Sequence, residues 1–226
     1  MKDIMTVSGV IISSTPIGEY DRRVVILTRE LGKISCFARG GRRPTSKLIA
    51  SGRSFIFANF NIYEGKSAYI LHDIFIVKSF DEITRDYNAL IYAYYFAEIA
   101  EYFGREGINA TDSVNLLYVA FNSLLDEKLD NDTVKAAFEI RTLANEGILN
   151  DIPNRKNADK ALINAFDKSA GDNVLSMFGF ILNEPVRTEF IRLADKMMTA
   201  SIDRKIKSRG LLMNGKWFSD ENNRTK

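Results

Sequence analysis

The sequence has only one cysteine, Cys36, and one histidine, His72, among its 226 residues. One thiol excludes an intrachain disulfide and a multi-cysteine zinc site. A Ser–His or Cys–His catalytic pair would have to use the single histidine. Cys36 and His72 both fall in strand-like segments, which favours a buried thiol and a structural histidine. The sequence therefore predicts no catalytic residue and no cofactor, and leaves open only a magnesium site built from carboxylates.

Long apolar runs are also missing. Residues 1–15 contain short apolar pieces, but Asp3, Ser8 and Ser13 interrupt them. Such a segment is too broken for a secretory signal peptide or a membrane-spanning helix. We therefore expect a cytoplasmic protein with no membrane partner.

Acidic residues are scarce in one part of the chain. The formal net charge is only +2, but residues 1–80 carry twelve lysines and arginines against six acids. Within residues 22–53, nine basic residues face a single acid, Glu30. Concentrated positive charge of this kind is typical of proteins that bind nucleic acids or other anions.

Residues 4–80 have the period-two alternation and the β-branched and aromatic content of strands. Turn signals separate the apolar runs, for example at Gly40-Gly41 and at Glu64-Gly65, which we interpret as a hairpin turn. Five short strands in one such stretch indicate a small closed barrel. The predicted strands are Val7–Ser14, Arg23–Thr28, Lys33–Arg39, Phe55–Tyr63 and Ala68–Ser79. One face of the fourth strand would collect the residues Ile56, Ala58, Phe60 and Ile62.

After Phe80 the apolar residues recur at helical spacing, which predicts a domain boundary at this point. The predicted helices cover residues 85–103, 112–125, 132–147, 158–167, 174–183 and 185–207. Asp112 and Asp132 are the predicted N-caps of the second and third helices, and Pro185 suits the first turn of the last one. Residues 150–172 are predicted to form a loop-rich insertion around a short helix, and residues 214–226 are predicted to fray.

The segment 39–53 combines five cations with three glycines and short polar side chains. Its cations suit phosphate groups, and its glycines would let backbone amides approach them. We expect a polar, flexible loop. From composition alone, a DNA-binding loop and a merely solvated loop are about equally supported. The aromatic candidates for base stacking are Phe37, Phe55, Phe57 and Tyr63.

An ordered series of motifs resembles the bacterial RecO family. The series consists of Gly9-Val10-Ile11, Ile17-Gly18-Glu19-Tyr20-Asp21-Arg22, Leu27-Thr28-Arg29-Glu30-Leu31-Gly32-Lys33-Ile34, Ala38-Arg39-Gly40-Gly41-Arg42-Arg43-Pro44-Thr45-Ser46-Lys47, Phe60-Asn61-Ile62-Tyr63 and Ile206-Lys207-Ser208-Arg209. The resemblance is strong over residues 8–66 and weak after residue 150. Several motifs in a fixed order are much more specific than one basic loop.

The resemblance implies an α+β protein in two parts, with a five-stranded OB-fold β-barrel at residues 1–80 and an all-α helical domain at residues 81–226. It also implies a non-catalytic mediator of recombinational DNA repair that binds single- and double-stranded DNA and anneals complementary strands. The implied protein partners are RecR, with which it helps to load RecA, and single-strand-binding protein (SSB), which coats the DNA. The implied place of action is the cytoplasm, at the nucleoid.

The resemblance also gives the basic residues a role as phosphate contacts. The predicted DNA-binding residues are Arg22, Arg23, Lys33, Arg39, Arg42, Arg43, Lys47 and Arg53. The chain departs from the family in one respect. Many relatives carry a four-cysteine zinc module in the helical domain, whereas residues 151–172 contain no cysteine. We therefore expect no zinc there.

A further implication of the resemblance is that the helical domain binds the acidic, hydrophobic C-terminal tail of SSB. Such a tail needs an apolar pocket with cations beside it. The candidate cations are Arg141, Arg187 and Lys205, and the candidate apolar residues are Phe190, Leu193 and Met197. The apolar residues also have the spacing of a core face, and core stripes are commoner than binding grooves.

The main alternative function is that of a non-catalytic protein-interaction module, in which the basic barrel binds acidic peptides or anionic surfaces. An enzyme is a more distant alternative because catalytic motifs are nearly absent. Salt dependence separates the alternatives, since phosphate binding weakens linearly with the logarithm of the salt concentration and does not depend on base sequence.

Overall fold

The computed structural model describes residues 3–171 and 173–212. The chain divides into two compact units, the first made of residues up to 82 together with 97–114, and the second made of residues 83–96 together with those from 115 onward. The predicted domain boundary between residues 80 and 81 stays a prediction. The predicted fraying of residues 214–226 and the last position of the predicted insertion lie outside the described residues.

Five strands of the first unit close into a barrel in the order β1-β2-β3-β5-β4. The strands are β1 (Met5–Ile17), β2 (Asp21–Thr28), β3 (Gly32–Ala38), β4 (Ile56–Glu64) and β5 (Tyr69–Ser79). Neighbouring strands are antiparallel except β3 and β5, which pair in parallel. The predicted α+β class, with an OB-type barrel followed by helices, is confirmed.

Strand β1 closes the barrel because it pairs with two strands along its length. Its first part, Met5–Val10, pairs with β4, and its second part, Gly9–Ile17, pairs with β2. Gly9 belongs to both pairings, and a Cβ atom at this position would collide with the carbonyl oxygen of Leu27. A register shift just after Ile11 marks a bulge, which bends the strand from one partner towards the other.

Alternate residues of the strands fill the barrel. Along the whole of β3, buried positions alternate with half-exposed ones, as in a strand with one face in the core. The predicted inner face of β4 is confirmed by the burial of Ile56, Ala58, Phe60 and Ile62. The predicted hairpin turn at Glu64-Gly65 is also confirmed, because it joins the antiparallel strands β4 and β5.

Cys36 and His72 lie where the strand pattern predicts. Cys36 is buried in the barrel core, and burial raises the pKa of its thiol to about 12. A nucleophile or a metal ligand needs a thiolate, so this cysteine is unsuited to either role. His72 is partly exposed, and its Nε2 atom lies 3.4 Å from Oδ2 of Asp73.

Among the described residues, five α-helices follow the barrel. They are α1 (Tyr87–Phe103), α2 (Thr111–Leu124), α3 (Asn131–Asn145), α4 (Lys160–Ala170) and α5 (Glu184–Ser201), and residues 207–212 are helical as well. In the described part of the chain, no helix combines the length and the apolar character needed to cross a lipid bilayer.

The predicted N-caps of α2 and α3 are wrong by one or two positions. Asp112 lies inside the first turn of α2, whose first residue is Thr111. The N-cap of α3 is Asp130, whose Oδ2 atom accepts a hydrogen bond from the backbone nitrogen of Thr133 at 2.9 Å. Asp132 instead accepts a hydrogen bond from the Tyr92 hydroxyl group. Local sequence does not distinguish two aspartates this close together, because either can supply the capping oxygen.

The predicted helix over residues 174–183 is wrong, since only a 3₁₀ turn forms there, at Val174–Ser176. Asn183, the last residue of the predicted helix, instead belongs to the start of α5. Its backbone is extended, and its side chain caps α5 by accepting a hydrogen bond from Val186 N. The last predicted helix also ends early, at Ser201, because Ile202 has an extended backbone.

The core of the second unit contains stacked aromatic rings and a buried ionic group. The rings of Phe96 and Phe138 stack with their centroids 4.3 Å apart. Glu139, the next residue of α3, is fully buried and contacts both the Tyr95 hydroxyl group and Nζ of Lys135. These contacts join the first half of α1 to α3.

Candidate nucleic-acid interface

Residues 39–53, which we call the basic loop, connect β3 to β4 and contain several hydrogen-bonded turns. Turn hydrogen bonds run along the backbone, beginning with Gly41 N to Ala38 O at 3.2 Å. The second half contains a 3₁₀ turn at Ile49–Gly52, and the side chain of Leu48 is buried in the barrel core. The buried leucine and the turns give the segment a defined path, and its flexibility stays a prediction.

The basic loop is fastened to the turn between β1 and β2. Arg42 donates twice to this turn, from Nη1 to Gly18 O and from the backbone nitrogen to Tyr20 O, both at 2.8 Å. The guanidinium carbon of Arg43 lies 4.7 Å from the centroid of the Tyr20 ring, which is a cation–π distance. Two segments that are far apart in sequence thus form one surface.

The glycine amides of the basic loop already have protein partners. Gly40 N donates to Oδ1 of Asp21 at 2.7 Å, and Gly41 N donates to Ala38 O. Gly40 has a φ of +67°, which a glycine adopts without strain. The glycines therefore shape the turn, and contacts to phosphate fall to the side chains.

Arg39, Arg42 and Arg43 are the exposed arginines at the start of the basic loop. The contacts that hold Arg42 and Arg43 involve a carbonyl oxygen and an aromatic ring, neither of which carries a charge. Within residues 3–171 and 173–212, these two positive charges are thus positioned without being neutralised. This arrangement suits the binding of phosphate groups.

Lys47 and Arg53 differ because each pairs with an acid. Nζ of Lys47 lies 2.5 Å from Oδ1 of Asp73, and Arg53 pairs with Asp81. Arg53 also donates to Oγ of Ser79 at 3.1 Å. Ion pairs between exposed residues contribute about 0–1 kcal/mol, so a phosphate group can compete for either cation.

Arg22 and Arg23 are neighbours in β2, but their side chains have different surroundings. The Arg22 guanidinium lies so close to Gly52 that a Cβ atom there would come within 2.9 Å of it. Its Nε atom is buried and has no hydrogen-bond partner in the part of the chain that the structure describes. Arg23 is exposed and donates from Nε to Oγ of Ser35 at 2.9 Å. Arg22 therefore packs beneath the basic loop, while Arg23 lies on the outer surface of β2 and β3.

Lys33 lies in a separate groove of about 430 Å³, which is also lined by Arg23, Glu101, Arg105 and Glu106. Its Nζ atom donates to the Glu101 carbonyl oxygen at 2.6 Å. This carbonyl belongs to the last turn of α1, where a cation is favoured by the helix dipole. Lys33 is six residues before the basic loop, a distance of about 20 Å along the strand. The structure therefore does not group Lys33 with the loop arginines.

Two of the four predicted stacking residues are unavailable to a ligand. Phe55 and Phe57 are buried, and the Phe57 ring packs edge-on against Phe80 with the centroids 5.6 Å apart. Phe37 and Tyr63 are partly exposed. Burial thus leaves only two of these aromatic residues accessible for base stacking.

Sequence reasoning missed two exposed aromatic residues of the first unit, Tyr20 and Phe75. Their exposed fractions are 44% and 57%. Tyr20 is adjacent to the basic loop only in the folded chain, so its sequence position gave no signal. Phe75 lies in an apolar run of β5, where the pattern alone did not show which residues face the solvent.

The three residues predicted to bind the SSB tail have different surroundings. Arg141 is buried, and its Nη1 donates to Ala170 O at the end of α4 at 3.0 Å. Arg187 pairs with Glu184 at 2.5 Å, and Lys205 is exposed. The structure thus gives Arg141 and Arg187 partners within the second unit, and the tail site stays a prediction.

The apolar stripe of α5 is a core face. Phe190, Leu193 and Met197 are all buried. The Phe190 ring also packs edge-on against Phe180, with the centroids 5.5 Å apart. These three residues are therefore covered by the protein itself, as in the alternative interpretation of the stripe.

A cavity of about 600 Å³ lies in the second unit and is lined by leucines and acids, among them Asp86, Asp126 and Asp130. The carboxylates of these three residues accept hydrogen bonds from nearby backbone amides at helix starts and turns. Over residues 3–171 and 173–212, no group of three or more histidine, cysteine or acidic side chains is arranged to hold a metal ion.

Comparison with known proteins points to the same part of the chain as the barrel. Residues 1–80 match the family model described as "Recombination protein O N terminal". Proteins named "DNA repair protein RecO" are similar to this chain. The one from Clostridium kluyveri is 29% identical over 144 residues, and the one from Clostridium acetobutylicum is 32% identical over 139 residues. The one from Caldicellulosiruptor bescii is 31% identical over 149 residues.

These three alignments cover 64%, 62% and 65% of this chain, and 56%, 56% and 59% of the relatives. The chain thus spans a little over half the length of the curated relatives that it matches. The family match coincides with the barrel that carries the basic loop. This match and these relatives support membership of the RecO family.

Proposed function

We propose that this chain is a DNA-binding protein of DNA repair and that its basic loop binds the phosphate backbone. The observation that carries the proposal is the placement of Arg42 and Arg43 by specific contacts, beside the exposed Arg39, on a segment of hydrogen-bonded turns. Leu48 anchors this segment in the core, and Tyr20 holds it from the side. Cations on a fixed frame lose little conformational freedom on binding, which favours affinity.

The proposed binding is independent of base sequence and involves no catalytic step. Phosphate contacts position a protein on nucleic acid without reading the bases. The loop arginines can therefore serve both single- and double-stranded DNA. The one cysteine is a buried thiol with a raised pKa, which suits this non-catalytic role.

On the family resemblance, we further propose that the protein mediates recombinational repair in the cytoplasm, at the nucleoid. In this role it anneals complementary single strands and acts with RecR to load RecA onto DNA coated by SSB. The names of the similar proteins support the role in DNA repair. The specific partners rest on the resemblance alone.

Titration of labelled single- and double-stranded DNA by fluorescence anisotropy, at several salt concentrations, tests the proposal. We expect the double variant Arg42→Ala/Arg43→Ala to bind both forms more weakly. The slope of log affinity against log salt should fall by about 0.7 per lost contact for single strands and about 0.9 for duplex. The loss should be the same for unrelated base sequences.

The matched control is Arg192→Ala/Lys196→Ala, which removes the same charge from two exposed positions of α5. This variant should bind DNA with the wild-type salt slope. An unchanged slope in the loop variant, with the fold intact by circular dichroism, would falsify the proposed site. If the loop variant instead loses only the binding of an acidic peptide, the basic barrel is a protein-interaction module.

A further inference from the structure

Three consecutive apolar residues of β5 are exposed, which is unusual for a barrel strand. Phe75, Ile76 and Val77 have exposed fractions of 57%, 47% and 68%. The pairing between β4 and β5 skips Val77, so the strand has a bulge there. In the described residues, β3 pairs with β5 only at the start of β5, at Tyr69 and Ile70. The segment from Phe75 to Val77 therefore has a strand neighbour on one side only.

Phe75 stands beside a row of fixed amide groups on the outer face of the barrel. The strand register places it opposite Asn59, which is in turn opposite Ser8. The Ser8 hydroxyl donates to Oδ1 of Asn59 at 3.0 Å. In the next row, the Thr6 hydroxyl donates to Oδ1 of Asn61 at 2.8 Å.

These hydrogen bonds leave a defined chemistry on the surface. Each amide oxygen accepts a hydrogen bond from a hydroxyl group, which orients the side chain, and the NH₂ groups of Asn59 and Asn61 can donate to a ligand. An NH₂ group donates, and the edges of all four DNA bases carry acceptor atoms. An aromatic face beside two fixed donors is thus suited to a nucleobase.

Cations lie on both sides of Phe75 along β5. Nζ of Lys47 contacts Asp73, two residues before Phe75, at 2.5 Å. Lys78 follows three residues after Phe75, and its Nζ atom lies 5.2 Å from the centroid of the Phe80 ring. Both strand positions are within about 10 Å of Phe75. They can therefore neutralise the phosphates on either side of a base that stacks on Phe75.

We propose that Phe75 is a stacking platform for an unpaired nucleobase and that the outer face of β4 and β5 is a single-strand binding surface. The bases of a duplex are stacked on one another, so a lone aromatic ring gains contact only with an unpaired base. The inference rests on the proposed DNA binding and specifies the form of DNA that this surface selects.

The size of the apolar patch favours a nucleic acid over a protein as its occupant. A stable protein interface buries about 800 Å² on each partner, which three side chains cannot supply. The flanking Lys47 and Lys78, together with the amide donors, match a polyanion that carries flat rings. A protein partner is therefore the alternative that the experiment has to separate.

Phe75→Leu is the decisive variant because leucine keeps the apolar surface but has no aromatic face. We expect its affinity for single-stranded DNA to fall by about tenfold, while its affinity for duplex stays at the wild-type value. Phe75→Tyr should restore single-strand binding. Ile108→Ala, which removes an exposed apolar group outside β4 and β5, should leave both affinities unchanged.

Ultraviolet cross-linking to an oligonucleotide that carries 5-iododeoxyuridine provides a second readout, and mass spectrometry should locate the cross-link at Phe75. Wild-type single-strand affinity in Phe75→Leu would overturn the inference, as would a loss that affects duplex equally. The inference is also overturned if Phe75→Leu keeps all DNA binding while Phe75→Asp loses only the binding of a protein. In that case the exposed patch is a protein-binding surface. The proposed function fails separately, when the wild-type chain binds no DNA or the basic-loop variant binds normally.

Discussion

At the scale of single residues, two glycines with a left-handed backbone differ in what surrounds them. Gly32 begins β3 with a φ of +65°, and Gly107 has a φ of +77°. A Cβ atom at Gly32 would collide with the carbonyl oxygens of Arg105 and Ile108, whereas nothing lies within 4 Å of one at Gly107. A substitution at Gly107 therefore tests backbone strain alone, whereas a substitution at Gly32 tests backbone strain together with a steric clash.

We expect Gly107→Ala to lower the free energy of unfolding by about 1–2 kcal/mol, the usual penalty for a left-handed alanine. Gly32→Ala should lower it by about 3 kcal/mol or more, because the added methyl group also displaces backbone. Urea denaturation of both variants measures the difference. Equal losses would show that the chain at Arg105 can move away without penalty.

At the scale of elements, helix α3 carries an ion pair into the core of the second unit. Lys135 and Glu139 are one helical turn apart, with Nζ and Oε1 separated by 2.7 Å, and both are buried. Asp195 of α5 contacts the same ammonium group at 3.2 Å. Burial raises the pKa of the Glu139 carboxyl group despite the lysine beside it. Lys135 and the Tyr95 hydroxyl group together stabilise this buried carboxylate, and only the lysine supplies a positive charge.

Replacement of Lys135 should show how far the buried Glu139 carboxylate depends on it. We expect Lys135→Met to lower the free energy of unfolding by about 3–5 kcal/mol at pH 7, because it leaves a buried charge unpaired. A raised folded-state pKa means that the folded state binds the proton more tightly, so the loss should shrink as the pH is lowered. Urea denaturation at pH 7 and pH 5 checks both expectations.

The matched control for this prediction is the double variant Lys135→Met/Glu139→Leu. Replacing both charged groups by apolar ones of similar size should restore most of the lost stability. If the double variant is as unstable as the single one, then packing around Lys135 matters more than its charge.

At the scale of the whole molecule, the shortage of thiols leads to a prediction about metal content. The chain has one cysteine and one histidine, too few for a structural zinc site of four such ligands. We expect the purified protein to contain no stoichiometric zinc and to keep its melting temperature in a chelator. One zinc ion per chain in an elemental analysis would contradict this expectation.

Part of the fold was predictable because its signals are local. The period-two alternation of β4 and the turn at Glu64-Gly65 lie within a few residues of one another, and the structure confirms both. Helix boundaries that depend on one capping side chain were harder to predict. Asp130 and Asp132 are equally good caps in sequence, and Asn183 begins α5 rather than ending a helix before it.

The candidate site was predictable only as a collection of residue types. The positive charge of residues 22–53 is a property of the sequence alone, and it predicts that this segment binds an anionic ligand. The roles of individual cations depended on distant partners. Lys33 contacts a carbonyl group 68 residues away, and Arg42 bonds to a turn 24 residues before it.

The sequence by itself thus determined that the chain has a barrel, where its positive charge is concentrated, and that it has too few thiols for a cysteine-rich zinc site. Periodicity, composition and counts carry this information, and none of them requires a distance between remote residues. Only the tertiary structure decided that Phe55 is buried, that Phe75 is exposed and that the basic loop contacts the turn between β1 and β2. Exposure and these contacts depend on which segments pack together, and strand pairing between residues far apart in the chain sets that packing.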